Sequence, residues 1–300
     1  MKRGVVLPQK LSDFGFSLDT HIFRYRRDSD LRKSIDGVES DVSSIVEEIE
    51  GSSIWHSAIG ALNDPFEVYA KINEHEFKQM TEAQKFKLWA TLCIKGGKSW
   101  IMALNPDELL RLYKEDEPRL NKTFGDAAKR NEIFDTLVND IRESVAIACF
   151  TSVCDSRLMW GYYCNGFHGV CLIYNKDKLL SNKIDLSEVG YYDGAFEINL
   201  FDILYNCNEK EQFQRFSQIM KAKHTDWIHE YEIRSIIDLH DENKGVGQPE
   251  KLKERCIEGV IIGRNVRDGV RKKIMSLGME LGLKVFTADV DYQIFGVKIS

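Results

Sequence analysis

The sequence is poor in proline, with 5 in 300 residues, and has no repeat period or low-complexity tract, so nothing in it marks a flexible linker. No window approaches the roughly 18 consecutive apolar residues that a spanning helix requires, so no membrane segment is expected. The stretch MKRGVVLPQKLSDFGFS is mixed throughout and lacks an apolar core ahead of a cleavage-like site. The 7 cysteines are odd in number and without repeated pair spacing, which argues against a disulfide framework and for a reducing, cytoplasmic compartment. A net charge of −6 argues against a broad phosphate-binding surface, because affinity for nucleic acid rests largely on clustered Lys and Arg that release counterions. Two local basic patches remain, Phe23 to Lys33 and Gly263 to Lys273, the second reading as a solvated helix.

Several chemical signatures are also missing. There is no GxxxxGK[ST] and no HExxH, and the only GxG, at Gly245 and Gly247, lies in a polar loop ahead of Pro249 rather than at a strand-to-helix turn. A P-loop or dinucleotide fingerprint is therefore not expected. No GxSxG elbow is present. Cys149, Cys154, Cys164 and Cys171 with His168 match none of the usual short zinc-ligand spacings and read as small buried cysteines, with no metal expected.

What is there is a chain with 43% hydrophobic and 29% charged residues, long enough to bury a sizeable core. IFRYR (Ile22 to Arg26), SIWHSAI, VAIACFTS (Val145 to Ser152), GVCLIYN, YEIRSII, EGVIIG, KVFTADV and YQIFGVKI have the composition of strands. From Asp64 to about Arg142 apolar residues recur three or four apart, through DPFEVYAKI, TEAQKFKLWATLCI, NPDELLRLYK and NEIFDTLVNDIRES, which predicts a helical block. A further long amphipathic helix is expected over NLFDILYNCNEKEQFQRFSQIMKAK, and DENKGVGQPEK reads as a surface loop. The sum is an α+β fold, one domain over 1–300, with a mixed or antiparallel sheet core and an inserted helical region at about 64–142.

The stretch YEIRSII carries an unusual charge pattern. As a strand it would project Glu230, Glu232 and Arg234 to one face, about 7 Å apart, and Tyr231, Ile233 and Ser235 to the other. Two carboxylates at that separation repel one another unless a cation holds them, and Arg234 is positioned to be that cation. The same residues read equally as a structural ion pair or as a carboxylate aimed at a substrate. Asp64 before Pro65 reads as a structural cap. The aromatic-dense segment Trp160 to His168 suits a core, with Tyr163 and His168 as candidates for ligand contact.

IFRYR, IWHSAIGALNDPFE, CFTSVCDSRLMWGYYCNGFHGVCLIY, WIHEYEIRSI and GVIIG, in this order and spacing, resemble the bacterial family known as domain of unknown function 2971. The order of parts is also similar to the ADP-ribosyltransferases of the class with Arg on a first strand, Ser-Thr-Ser on a middle strand and then Glu-x-Glu. That resemblance implies an ADP-ribosyltransferase-like fold, NAD as substrate, and site residues Arg24 (with Arg26 on the same face as its competitor), Thr151 or Ser152, Glu230 and Glu232. Glu232 would stabilise the ribose cation as nicotinamide leaves, Glu230 would orient or deprotonate the acceptor, and an arginine would bind the pyrophosphate or its ribose.

The expected function is thus an NAD-dependent ADP-ribosyltransferase acting on a macromolecule, nucleic acid or protein, as a bacterial toxin or phage-defence effector. A toxin would bring a neutralising antitoxin partner. Alternatives are an NAD glycohydrolase on the same fold and a non-catalytic binding module.

Overall fold

Segments dense in β-branched and aromatic residues build one ten-stranded sheet in a computed structural model that describes residues 5–35, 38–73, 75–205 and 209–300, with the side chains of 30–41, 209–213 and 215 outside that description. Its strands are β1 (His21–Arg27), β2 (Ser53–Ala58), β3 (Val145–Thr151), β4 (Gly169–Asn175), β5 (Ser187–Glu188), β6 (Glu232–Asp238), β7 (Gly247–Lys251), β8 (Ile257–Gly263), β9 (Lys284–Asp291) and β10 (Gly296–Ile299). The order is β7-β2-β3-β1-β4-β8-β9-β10, with β6 pairing both β3 and β5. All pairs are antiparallel except β8 with β9, so the sheet is mixed.

Strand β3 organises this sheet. β6 runs along it from Glu232 opposite Thr151 to Asp238 opposite Val145, filling one edge. The other edge is divided: Ser57 and Ala58 of β2 meet Ile147 and Ala146, while Phe23 of β1 meets Thr151. The three strands that carry the Arg, Thr-Ser and Glu motifs are therefore immediate neighbours.

Helices α1 (Ser44–Glu50), α2 (Glu82–Lys95), α3 (Pro106–Phe124), α4 (Ala127–Ser144), α5 (Arg157–Tyr162) and α6 (Asp268–Leu281) lie along the chain. The chain divides into two compact units, one comprising Met1–Ala61, Ser144–Val189 and Asp226–Ser300, the other Leu62–Glu143 and Gly190–Thr225. The first holds the sheet. One face of the sheet packs Ile22, Phe150, Leu172 and Tyr174 against Ile45 and Ile49 of α1 and Ile274 and Leu277 of α6. The other packs Phe23, Tyr25, Cys171 and Ile173 against Met159 and Trp160 of α5. Gly263 ends β8 where a Cβ would lie 2.3 Å from the Phe167 carbonyl oxygen, a closeness only glycine permits.

The second unit is mainly helical. Thr81 and Gln84 form a reciprocal cap at the start of α2, and the Asn105 side chain accepts the Glu108 N–H at 2.9 Å ahead of Pro106, the first residue of α3. Within this unit the helical expectation fails at DPFEVYAKI. Asp64 Oδ1 accepts the Phe66 N–H at 2.9 Å, Val68 sits at φ +54°, and the chain makes a turn and then a short strand, Lys71–Ile72, parallel to Glu197–Ile198. Of the long helix expected from Asn199, the described residues include the helices Leu200–Leu204 and Glu209–Met220, while 206–208 lie outside the described residues; its last residues instead form the strand Ala222–His224, which pairs with Gly190–Tyr192. The expected loop DENKGVGQPEK instead supplies β7, an edge strand where the missing N–H of Pro249 is tolerated.

Candidate functional site

Strand alternation and register decide which motif side chains meet. Phe23, Thr151 and Glu232 lie in one cross-strand row, so Tyr25, Thr151, Cys149, Glu232 and Arg234 share a face. Arg24, Arg26, Phe150 and Ser235 take the opposite face. The site expected from sequence is thereby divided between the two sides of the sheet.

On the first face, Tyr25, Thr151, Met159, Tyr163, Glu230 and Glu232 line a cavity of about 50 Å³. Glu230 reaches it from the 3₁₀ turn Thr225–Glu230 and not from the strand, because Tyr231 adopts φ +45° and β6 begins only at Glu232. The buried Glu230 carboxylate accepts the Tyr163 hydroxyl at 2.5 Å, and its main-chain carbonyl accepts the Thr151 hydroxyl at 2.5 Å. Thr151 Oγ1 also accepts the Val153 N–H at 3.0 Å, which locks its rotamer. Ser152 is half-buried, donates its backbone N–H to the Tyr231 carbonyl, and does not line the cavity.

Glu232, 4% exposed, accepts two hydrogen bonds from the fully buried Arg234, at 2.7 Å from Nε and 3.2 Å from Nη2. This is the forked pairing in which guanidinium and carboxylate planes match, and it fixes the carboxylate's orientation while balancing its charge.

Arg24 and Arg26 are occupied on the other face. Arg24 donates to Glu48 Oε1 at 3.0 Å and to the Trp55 carbonyl at 2.5 Å, and its guanidinium lies 5.6 Å over the Phe150 ring. Arg26 Nε lies 2.7 Å from Glu48 Oε2, and the Tyr174 hydroxyl donates to Glu48 Oε1 at 2.7 Å. Burial pushes the Glu48 carboxyl up, but Arg24 and Arg26 outweigh it and hold the group below its ordinary range. Nearby, buried His56 contacts Ser235 Oγ and the Ile54 carbonyl, both at 3.1 Å; burial and then the Arg24 charge pull it down to about 4. Arg24 and Arg26 are thus the centre of a buried structural cluster. They were expected beside Glu232 because spacing within one strand says nothing about which face another strand presents to it.

His168 is exposed, with Nδ1 donating to the Asn165 carbonyl at 2.6 Å, and does not line the cavity. Tyr25 is a residue that sequence reasoning missed. It is 8% exposed, edge-on to Trp160 at 5.3 Å, and its hydroxyl has no hydrogen-bond partner among the described residues. Burial pushes its phenol well above the ordinary value. Alternation within IFRYR was the available signal, once Phe23 was known to share the Thr151 face. By the same alternation Arg27, exposed and opposite Gly169, is the arginine of β1 that shares this face.

The second basic patch is largely neutralised within the sheet unit. Arg264 pairs with Asp289 at 3.1 Å, Arg267 with Asp28 at 2.6 Å and Lys273 with Glu50 at 2.7 Å. Arg271 donates to the Gly263 carbonyl. The Asp30 to Lys33 end of the first patch lies outside the described side chains. Cys154, Cys164 and Cys171 are buried, and among the described residues no group of three or more His, Cys, Asp or Glu is placed to hold a metal. No helix among the described residues is long and apolar enough to cross a membrane.

No curated protein and no solved structure matches the chain. Residues 159–235 match the family model described as protein of unknown function (DUF2971), a segment that includes Tyr163, Glu230, Glu232 and Arg234. That matched segment holds both cavity carboxylates.

Proposed function

We propose that the chain transfers ADP-ribose from NAD to a macromolecule, on an ADP-ribosyltransferase-like sheet, with Glu232 as the catalytic carboxylate. The observation that supports this is the direct adjacency of β1, β3 and β6, with Glu232 opposite Thr151 and Glu230 closing the same cavity. In the reaction the bond between ribose C1′ and the nicotinamide nitrogen breaks, its electron pair leaving with nicotinamide. A carboxylate fixed in place stabilises the ribose cation more than the ground state. The acceptor's nucleophilic atom then bonds to C1′ and its proton passes to Glu230, whose carboxylate the Tyr163 hydroxyl orients.

A cavity of about 50 Å³ takes a hydroxyl edge of the ribose and not the whole dinucleotide, so the rest of NAD lies outside it. Arg24, committed to Glu48, takes no part in this reading; on it, Arg27, exposed on the same face of β1 as Tyr25, binds the pyrophosphate. The acceptor is a nucleic acid or a protein, and the biological role is that of a bacterial toxin or phage-defence effector, with an antitoxin as counterpart.

Incubation with labelled NAD and cell extract tests the reading. Labelled macromolecule should appear with the native chain and vanish with Glu232→Gln, both proteins showing the same circular dichroism. Labelling of equal strength by both sinks it. Free labelled ADP-ribose without labelled macromolecule identifies a glycohydrolase, in which water attacks the same cation.

One observation favours a second reading, a non-catalytic binding module: Arg234 satisfies both oxygens of Glu232 in a buried pair. On that reading NAD produces no thermal shift and Glu232→Gln changes stability alone.

A further inference from the structure

We propose that the helical unit holds a second binding site, for a small ligand with an apolar body and one oxyanion, in the cleft between α2 and α3. The cleft has a volume of about 370 Å³, within the range of small-molecule pockets, and shares no lining residue with the cavity at Glu232. Its wall is apolar: Trp89, Leu92, Leu120 and Phe124 line it, and all but Leu92 are more than nine-tenths buried. Cys93 belongs to that wall as a neutral thiol, since burial raises its pKa against the pull of Lys98.

The polar groups of the cleft are unevenly matched. Asp116 accepts the Trp89 indole N–H at 2.9 Å, which satisfies the one donor the aromatic wall presents. The two cations that line the cleft, Lys98 and Arg119, are exposed and form no ion pair among the described residues. Other cations of α2 and α3 behave otherwise: Lys85 pairs with Glu82, Arg111 with Glu115 at 2.8 Å, and Lys114 with Glu117 at 2.8 Å. Acidic residues outnumber basic ones by 6 in this chain, so two unmatched cations on one apolar cleft mark a place for an external anion. The guanidinium of Arg119 offers a fork for a carboxylate or phosphate, and the Lys98 ammonium a second charge.

The test uses the full chain and 8-anilinonaphthalene-1-sulfonate, which combines an aromatic body with one oxyanion. Binding at one site per chain is expected, with displacement by octanoate or octyl phosphate and at least tenfold weaker displacement by octanol. The relative strength of octanoate and octyl phosphate identifies which oxyanion the site prefers. Lys98→Glu with Arg119→Glu should weaken probe binding at least tenfold while circular dichroism and melting temperature stay unchanged. Thr123→Trp, which fills the cleft from α3, should weaken it as much without changing charge. Probe affinity within twofold of native in both variants, or displacement by octanol as strong as by octanoate, overturns the proposal. Should the double charge reversal impair folding, Lys98→Gln with Arg119→Gln carries the same expectation with a smaller loss.

Discussion

Glu48 of the sheet unit and Glu76 of the helical unit are both buried carboxylates, and they are held in different ways. In the sheet unit, buried carboxylates face guanidinium groups: Glu48 lies against Arg24 and Arg26, and Glu232 against Arg234. The helical unit also buries an ion pair, Lys223 with Glu67 at 2.9 Å, but its buried Glu76 is held by main-chain donors, the N–H groups of Leu200 at 3.1 Å and Phe201 at 3.2 Å. Two peptide dipoles offset the loss of water less completely than two guanidinium charges do. Burial therefore wins at Glu76, whose carboxyl is pushed up to about 7, and loses at Glu48, which stays below its ordinary range. A buried carboxylate marks a functional site only when its partner leaves it something to do. Glu48 is fully committed, whereas Glu230 and Glu232 border a cavity.

The largest expected effect breaks the sheet unit's cluster. Glu48→Ala leaves Arg24 buried without its acid and should destabilise the fold by about 3–5 kcal/mol, read as a lower thermal midpoint. A loss under about 1 kcal/mol would place the cluster at the surface in solution.

The next effect sharpens the comparison through pH. His56 has a folded pKa of about 4 against an ordinary 6.5, so the unfolded chain binds the extra proton between those values. Stability of the sheet unit is then lost as pH falls from 6.5 towards 4, by roughly 3 kcal/mol in total. Glu76 runs the other way: with a folded pKa of about 7 against 4.5, the folded state keeps a proton the unfolded chain has released, and the helical unit loses stability as pH rises from 4.5 to 7. Thermal melts of His56→Gln and Glu76→Gln across pH 4 to 8 should flatten these two slopes separately. Identical profiles for both variants would show that neither residue controls its unit.

The smallest effect concerns the cavity. Tyr25→Phe removes a hydroxyl with no partner among the described residues, so stability should change by less than about 1 kcal/mol. On the proposed function the same change weakens NAD, raising KM, since that hydroxyl is free to meet the ribose. An unchanged KM would leave Tyr25 as core packing only.

Much of the fold was legible where a short apolar run decides its own conformation. IFRYR, VAIACFT, GVCLIYN and EGVIIG are strands, and the 3.6-residue spacing through TEAQKFKLWATLCI and NPDELLRLYK became α2 and α3. The failures have local causes. Pro65 with the Asp64 side chain made a turn within a helical spacing, and Pro249 looked like a loop while sitting on a sheet edge. At the site, residue types were read more easily than faces. Periodicity assigns Arg24 and Arg26 to one side of β1, but which side meets Glu232 follows from register with β3, a long-range pairing that no local pattern encodes. Tyr231 at φ +45° also interrupts the alternation that would have carried Glu230 into the strand, yet its turn returns the Glu230 side chain to the same cavity.

The most direct measurement is nicotinamide release from NAD in the presence of cell extract, followed by mass spectrometry for the native chain, Glu232→Gln and Glu48→Gln below their melting temperatures. The account predicts release by the native chain, a fall of about 100-fold or more in Glu232→Gln, and near-native release per folded molecule in Glu48→Gln. Equal release by the native chain and Glu232→Gln, or none from any of the three, would contradict it.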